Sequence, residues 1–372
     1  MNIVFRVDAS RQMGTGHVMR CLTLADGLHA RGHRCFFICR RQPGDMTDVI
    51  RQRGYSVNEL SEPEIGFGIE ATARPDLPAH WRWLGCDWQA DAQQTRDALP
   101  AEPIDWLVVD HYAIDARWHN ALRPYASHFM VVDDLADRDL NCDILLDQNY
   151  YSDMASRYVG HIPATCQTFL GPGYVLLRPE FPRARRDLRK RPGTVRRILV
   201  FFGGSDITNQ TRNVLDAVSR LNLADIDIDV IAGWSNPYRE QLEAVSANMA
   251  NVTLHGHVSN MAELIAAADL GIGAGGSAIW ERCYLGLPSI TVAFADNQVR
   301  AAEDLASLGA IRYIGRCDAF TFGEYERAIR NMIASPDELQ RLTHASLDLV
   351  SSGAEVIADA MTELAENVTV GD

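Results

Sequence analysis

Strand-like apolar runs alternate with amphipathic helical patterns along nearly the whole chain, and this alternation constrains the fold more than any motif. Runs at Ile3–Val7, Cys35–Cys39, Trp106–Val109, Phe129–Val132 and Ile144–Leu146 occupy the first half. Runs at Arg197–Phe202, Ile228–Ala232, Leu270–Gly273 and Ser289–Val292 occupy the second. They are rich in Val, Ile and Phe, which suits parallel strands buried on both faces. Helical patterns at His17–Arg31, Thr208–Leu221, Pro237–Asn248, Asn260–Ala268, Ala278–Leu285 and Gln298–Ser307 lie between them. The order predicts two doubly wound α/β domains, with parallel sheets covered by helices. At 372 residues the chain has the length for two domains of ordinary size. The expected boundaries are a first domain over 1–180, a basic linker over 181–195, a second domain over 196–350 and a closing helix over 351–372 that packs back on the first domain. The arginine-rich segment Arg178–Arg197 reads as an exposed, solvated connection. The stretch Glu59–Ala79 reads as a loop or lid, and the tryptophans at 81, 83, 88, 106 and 118 as core or lid residues.

In doubly wound sheets ligands bind beyond the carboxyl ends of the strands, so the turns there carry the candidate chemistry. The first such turn, DASRQMGTGHVMR, starts at Asp8 and ends at Arg20. Gly14 and Gly16 permit positive φ and close approach of a ligand to the backbone. The free N–H groups of the following helix suit a diphosphate or the sugar attached to one. His17 stands at the start of that helix, where the dipole disfavours imidazolium, so a neutral ring can accept a proton from water. Asp8, at the end of the first strand, is placed to orient that ring or bind substrate. Helix capping is the competing role for His17.

Three turns of the second half have the same character. Gly203-Gly204-Ser205 follows an apolar strand and precedes a helix, without the lysine of a Walker loop. Gly275-Gly276-Ser277 follows another, and Glu281, four residues beyond Ser277, falls on the same helix face. A glutamate there can take the two hydroxyls of a ribose while the glycines meet phosphate. The next strand ends near Asn297 and Gln298, and backbone groups of Gly256-His257-Val258 can read a base edge. Strand ends also bear Asp110, His111, Tyr112, Asp133, Asp134, Asp147 and Asn149, for which turn and capping roles compete with function.

Composition narrows the classes. A net charge of −14 gives no global attraction for nucleic acid. Eight scattered cysteines, none in a Cys-x-x-Cys pair, argue against a zinc site and suit a reduced, cytoplasmic protein. No apolar run approaches the ~18 residues that a membrane span needs. Helix dipoles and backbone N–H groups can stabilise a departing diphosphate, so no metal or cofactor is called for. The expected partner is a small anionic ligand, a diphosphate or the sugar attached to one, without nucleic acid or membrane insertion. The oligomeric state is left open, and a monomer is compatible.

The glycine–serine loop, Glu281 and Gln298 resemble the donor-nucleotide domain of the peptidoglycan N-acetylglucosaminyltransferase group, which implies a GT-B-like fold of two domains facing across a cleft. The stretches FRVDASRQMGTGHVMRCLTLA, VVDHYAID, LLGPGYVLLRPEF and FFGGSD resemble, over nearly the whole chain, the UDP-2,4-diacetamido-2,4,6-trideoxy-β-L-altropyranose hydrolase family of pseudaminic acid biosynthesis. The Gly-x-Gly-His-x-x-Arg motif falls on Gly14, Gly16, His17 and Arg20. That resemblance implies a UDP-sugar as the partner, and release of UDP by water with inversion at the anomeric carbon. It places His17 near the reacting centre. Asp8, Gly14, Gly16, Arg20, Tyr112 and Asn149 are then expected around the sugar, and the loops of the second half around UDP. Three rivals remain at this level: a GT-B glycosyltransferase using a UDP-amino sugar donor, a nucleotide-sugar binding protein without chemistry, and a hydrolysing 2-epimerase.

Overall fold

A computed structural model describes residues 1–62, 77–204, 206–233, 236–256 and 258–369. The chain divides into two compact units. The first comprises Met1–Asn149, Asp153–Leu176 and Ser352–Asp372, and the second Tyr150–Ser152 and Leu177–Ser351.

The first unit is built on seven parallel strands: β1 (Asn2–Val7), β2 (Arg34–Arg40), β3 (Ser56–Leu60), β4 (Ile104–Asp110), β5 (Ala126–Val132), β6 (Ile144–Asp147) and β7 (Gln167–Leu170). Their spatial order is β3-β2-β1-β4-β5-β6-β7. The chain winds outward from β1 and then returns to lay β4 on its other side. That reversal makes β1/β4 the switch point, where a ligand crevice opens. Alternation along β1 sends Ile3, Phe5 and Val7 into one core with Leu22, Phe37 and Trp106, and Val4 into another with Leu107, Trp118 and Phe129. Both faces are therefore covered, as the apolar runs require. The closing helix Ala354–Thr369 belongs to this unit. Its Ile357 and Met361 lie in the first of these cores, and the Trp106 indole donates to the Met361 carbonyl at 3.1 Å.

The second unit holds six parallel strands: β8 (Arg197–Phe201), β9 (Asp227–Ile231), β10 (Val252–His255), β11 (Leu270–Ala274), β12 (Ser289–Ala293) and β13 (Arg312–Arg316). Their order, β10-β9-β8-β11-β12-β13, puts the switch point at β8/β11.

Two expectations need correcting. The apolar runs miss β3, β7, β10 and β13, which are the four sheet edges. Edge strands are covered less completely and need no continuous apolar run: β3 exposes Ser56, Asn58 and Glu59, and β10 exposes Thr253 and leaves its other residues half-buried. The segment taken as a solvated basic linker is instead structured within the second unit. It begins with helix Glu180–Arg186. Its arginines then cap other helices. Arg191 donates to the Ile265, Ala268, Leu285 and Gly286 carbonyls, and Arg185 to those of Tyr284 and Leu347. A cation at a helix C-terminus satisfies the orphan carbonyls and complements the dipole there, which explains a basic run in an acidic chain.

Candidate active site

In the first unit the predicted turn does converge on the β1/β4 switch point. Gly14 has φ +78°, and its N–H bonds back to the Ser10 carbonyl at 2.8 Å, closing the turn. Helix Gly16–Ala30 then starts at the carboxyl edge of the sheet and places His17 in its first turn. Asp110 is the last residue of β4. The His17 Nδ1 lies 2.6 Å from Asp110 Oδ1. Arg20, one helical turn on, donates from Nε to Oδ2 and from Nη2 to Oδ1, each at 2.6 Å. Burial alone would raise the Asp110 carboxyl, but the charges of Arg20 and His17 and their hydrogen bonds hold it well below the usual carboxylate range. An ionised Asp110 can only accept, so the proton of a neutral His17 sits on Nδ1 and the Nε2 lone pair is left available. No protein group takes Nε2 among the described residues.

The ring-orienting carboxylate is thus Asp110 and not Asp8, a correction to the sequence expectation. Asp8 points into the sheet instead. It accepts from Arg6 Nη1 at 2.6 Å and from the Arg40 backbone N–H at 2.7 Å, and its Oδ2 faces His111 Nε2 at 3.3 Å. Asp91 completes this buried network by accepting from Arg6, Arg40 and the Trp118 indole. Arg20, expected beside the sugar, is buried and has its fork occupied by Asp110, with Nη1 3.5 Å from Asp134. Its guanidinium holds the Asp110 carboxylate in place.

Tyr112 does lie beside His17, edge to face at 4.7 Å between ring centroids. Its hydroxyl donates to Asp134. Burial and the charge of Asp134 raise the phenol, so it remains protonated. Trp83 stacks on Tyr112 at 5.7 Å, and His80 meets both rings. Trp83 is therefore part of an aromatic wall next to His17, not only a core or lid residue. Sequence pattern alone had no means to show this, because Trp83 and Tyr112 come from separate elements. Asn149 follows β6, its N–H bonded to the Asp147 carboxylate at 2.9 Å. Burial and the neighbouring Asp134 charge push the Asp147 carboxyl up.

In the second unit the loops after β8 and β11 lie at the β8/β11 switch point. Gly203 has φ +93°. A Cβ on Gly233, after β9, would lie 2.8 Å from the Gly204 carbonyl oxygen, so glycine is what permits these two loops to approach. Asp206 is a cap: its carboxylate accepts from the Gln210 and Thr211 N–H groups, each at 2.9 Å. The Gly275–Gly276 turn runs against Gln298: added Cβ atoms would lie 3.8 Å from Gln298 Cβ and 3.7 Å from its Nε2. Gln298 Oε1 accepts from the Phe294 N–H at 2.9 Å, which fixes its amide near the glycines. Ser277 is exposed just before helix Ala278–Tyr284, and Asn297 is half-buried in helix Asp296–Ser307. Glu281 is held by Arg178 Nη2 at 3.0 Å, and burial pushes its carboxyl up. Arg178 gave no sequence signal because it sits in the basic run. Gly256 packs over Arg239, with Val258 two residues on. Ser205 and His257 lie outside the described residues, as does most of the stretch read as a loop or lid. His255 ends β10 and pairs with Asp229 at 2.6 Å, a structural role.

Residues 198–361 match the glycosyltransferase family 28 C-terminal domain. The chain is 25% identical over 309 residues to the UDP-2,4-diacetamido-2,4,6-trideoxy-beta-L-altropyranose hydrolase of Campylobacter jejuni, covering 83% of this chain and 97% of that one. It is 30% identical over 176 residues to the UDP-N-acetylglucosamine--N-acetylmuramyl-(pentapeptide) pyrophosphoryl-undecaprenol N-acetylglucosamine transferase of an Exiguobacterium species, covering 46% of this chain and 47% of that one. MurG of Acinetobacter baumannii superposes with a TM-score of 0.63 at 14% identity, over 97% of this chain and 99% of the other. No helix among the described residues is long and apolar enough to cross a membrane. The chain therefore has a two-unit α/β fold of the GT-B kind, its residues 198–361 match a glycosyltransferase family 28 C-terminal domain, and over most of its length it is similar to an altropyranose hydrolase.

Proposed function

We propose that this protein hydrolyses a UDP-linked 2,4-diacetamido-2,4,6-trideoxyhexose, with UDP as the leaving group and inversion at the anomeric carbon. The observation that carries the reading is the Asp110–His17 pair, which leaves His17 Nε2 as a base at the first unit's switch point. In this reading the second unit holds UDP and the first acts on the sugar. Backbone of Gly256, His257 and Val258 meets uracil, and Glu281 takes the ribose hydroxyls. The turns Gly203-Gly204-Ser205 and Gly275-Gly276-Ser277, with Asn297 and Gln298, receive the diphosphate. His17 Nε2 takes a proton from water as the water oxygen bonds to the anomeric carbon, and the bond to the UDP oxygen breaks on the opposite face. UDP leaves as an anion and needs no proton, so one base suffices. Asp110 stabilises the imidazolium that forms, and Arg20 holds Asp110. Gly14, Gly16, Tyr112 and Asn149 line the sugar side, while Asp8 supports the sheet end from within.

The similarity to the Campylobacter hydrolase supports water as the acceptor. The similarity to the N-acetylglucosamine transferase supports a second reading, transfer of a UDP-amino sugar to another hydroxyl. UDP release from the diacetamido donor with no acceptor present, in ¹⁸O-water, tests the two. Stoichiometric release with ¹⁸O in the freed sugar is expected. Release that appears only on adding an acceptor would favour transfer.

A further inference from the structure

One buried side chain in the second unit is not used by the scheme above. Arg282 lies on helix Ala278–Tyr284 and is only 3% exposed. Its Nη2 donates to the Ala274 carbonyl at 2.8 Å, one residue before the Gly275–Gly276 turn. Its Nε and Nη1 are buried and have no hydrogen-bond partner. No carboxylate pairs with it among the described residues. Burial pushes the guanidinium down to about 10, so it stays a cation at neutral pH.

The strand beneath has room for it. β11 reads Leu-Gly-Ile-Gly-Ala, with glycines at 271 and 273 where a buried strand would otherwise take branched residues. A Cβ at 271 would lie 2.7 Å from Ser289 Oγ and 3.1 Å from Arg282 Cδ, and one at 273 would lie 2.2 Å from the Phe201 carbonyl oxygen and 2.9 Å from Arg282 Nη1. The two glycines thus leave room for the neighbouring strands and also for the arginine stem, which runs beside them towards the carboxyl end of β11. Thr291, the β12 partner of Gly273, also has a buried hydroxyl oxygen without a partner. An unpaired buried charge is strongly unfavourable, and replacing such charges by apolar groups of similar volume often stabilises a fold. A chain with net charge −14 that binds an anion also needs local positive potential there.

We propose that Arg282 is a buried electrostatic anchor for the nucleotide's diphosphate. It stands behind the glycine turn and is neutralised by the bound anion and not by the protein. This rests on the nucleotide reading of that turn. Arg282 acts through the field at the loop, as a positioning residue, and the diphosphate itself lies on the loop backbone. Its charge favours ligands in order of phosphate content.

The test measures affinities of uridine, UMP, UDP and inorganic pyrophosphate by calorimetry, with ligand-free melting temperatures, for wild type, Arg282→Met and Arg282→Lys. Expected for Arg282→Met is UDP binding weakened roughly tenfold, with uridine unchanged and UMP between. The ligand-free melting temperature should rise at the same time, because an unpaired buried charge is gone. Arg282→Lys should keep most UDP affinity. A purely structural arginine would move both quantities downward together. Unchanged UDP affinity in Arg282→Met, equal losses for uridine and UDP, or a lowered melting temperature overturns the proposal. Arg282→Gln supplies the neutral comparison if Arg282→Met does not fold. Should wild type bind neither UDP nor UMP, the nucleotide reading itself fails. Pyrophosphate affinity of wild type against Arg282→Met then decides the role of Arg282, and no difference overturns it.

Discussion

His17 and Asp110 join the first helix of the chain to the last residue of the fourth strand, Nδ1 to Oδ1 at 2.6 Å, at the point where the strand order of the first sheet reverses. The contact fixes which ring nitrogen carries the proton, and so which nitrogen can take one. Asp110→Asn offers a side-chain amide in place of the carboxylate and removes that control. The turnover number should fall on the order of 10³- to 10⁴-fold, as happens when a histidine loses its orienting carboxylate elsewhere. UDP binding should be unaffected. Single-turnover UDP release and calorimetric UDP binding check the two halves, and a variant with near-normal turnover would remove Asp110 from the scheme.

Glu281 is assigned to the ribose while Arg178 holds one of its oxygens at 3.0 Å. Glu281→Ala should weaken UDP about 10- to 100-fold, the range for losing hydrogen bonds to a charged group. Wild type should discriminate UDP from 2′-deoxy-UDP, and the variant should not. Retained discrimination in the variant would place the ribose elsewhere.

Trp83 covers Tyr112, which in turn abuts His17. An aromatic face at this place suits the apolar side of a deoxy sugar and its acetamido methyl groups. Trp83→Ala should raise KM for the UDP-sugar roughly tenfold with UDP affinity unchanged, and Trp83→Phe should recover most of the loss. Equal effects on UDP and UDP-sugar would reduce Trp83 to a packing residue.

Asp8, Asp91 and Asp110 are buried, which alone would raise their carboxyls, yet the arginines beside them hold all three below the usual range. A carboxyl lower in the folded than in the unfolded chain stabilises the fold above its unfolded value, about 3.9, and loses that contribution as pH falls through the folded value. Asp147 has the opposite sign: burial and the Asp134 charge raise it, so its contribution is present at low pH and is lost as pH rises through its folded value. The three depressed groups should dominate, and the melting temperature should drop steeply below about pH 4. Thermal melts from pH 3 to 7 measure this. A melting temperature that holds level to pH 3 would mean the buried arginine network contributes no stability.

The interior strands were legible in the amino-acid order because they are buried on both faces and must be apolar throughout. The edge strands Ser56–Leu60, Gln167–Leu170, Val252–His255 and Arg312–Arg316 were not, because an edge is free to mix polar residues. Turns were legible for a similar reason: Gly14 and Gly203 occupy positive φ, which few other residues tolerate. Local chemistry was therefore enough to put His17 and the glycine turns at strand ends. Which carboxylate serves His17 was a different kind of question. Asp8 is near in sequence but turns inward to Arg6, while Asp110 arrives from a strand 93 positions on. Parallel crossovers decide such neighbours, and no local pattern encodes them. The same holds for the arginines of 178–197, whose composition suggests solvent but whose partners are helix ends brought to them by folding. It holds also for Arg282, whose stem has room only once Gly271 and Gly273 lie beside it. Backbone conformation and burial are short-range requirements and can be written in adjacent residues. Charge pairing depends on what the sheet places side by side, so only the tertiary structure could settle it.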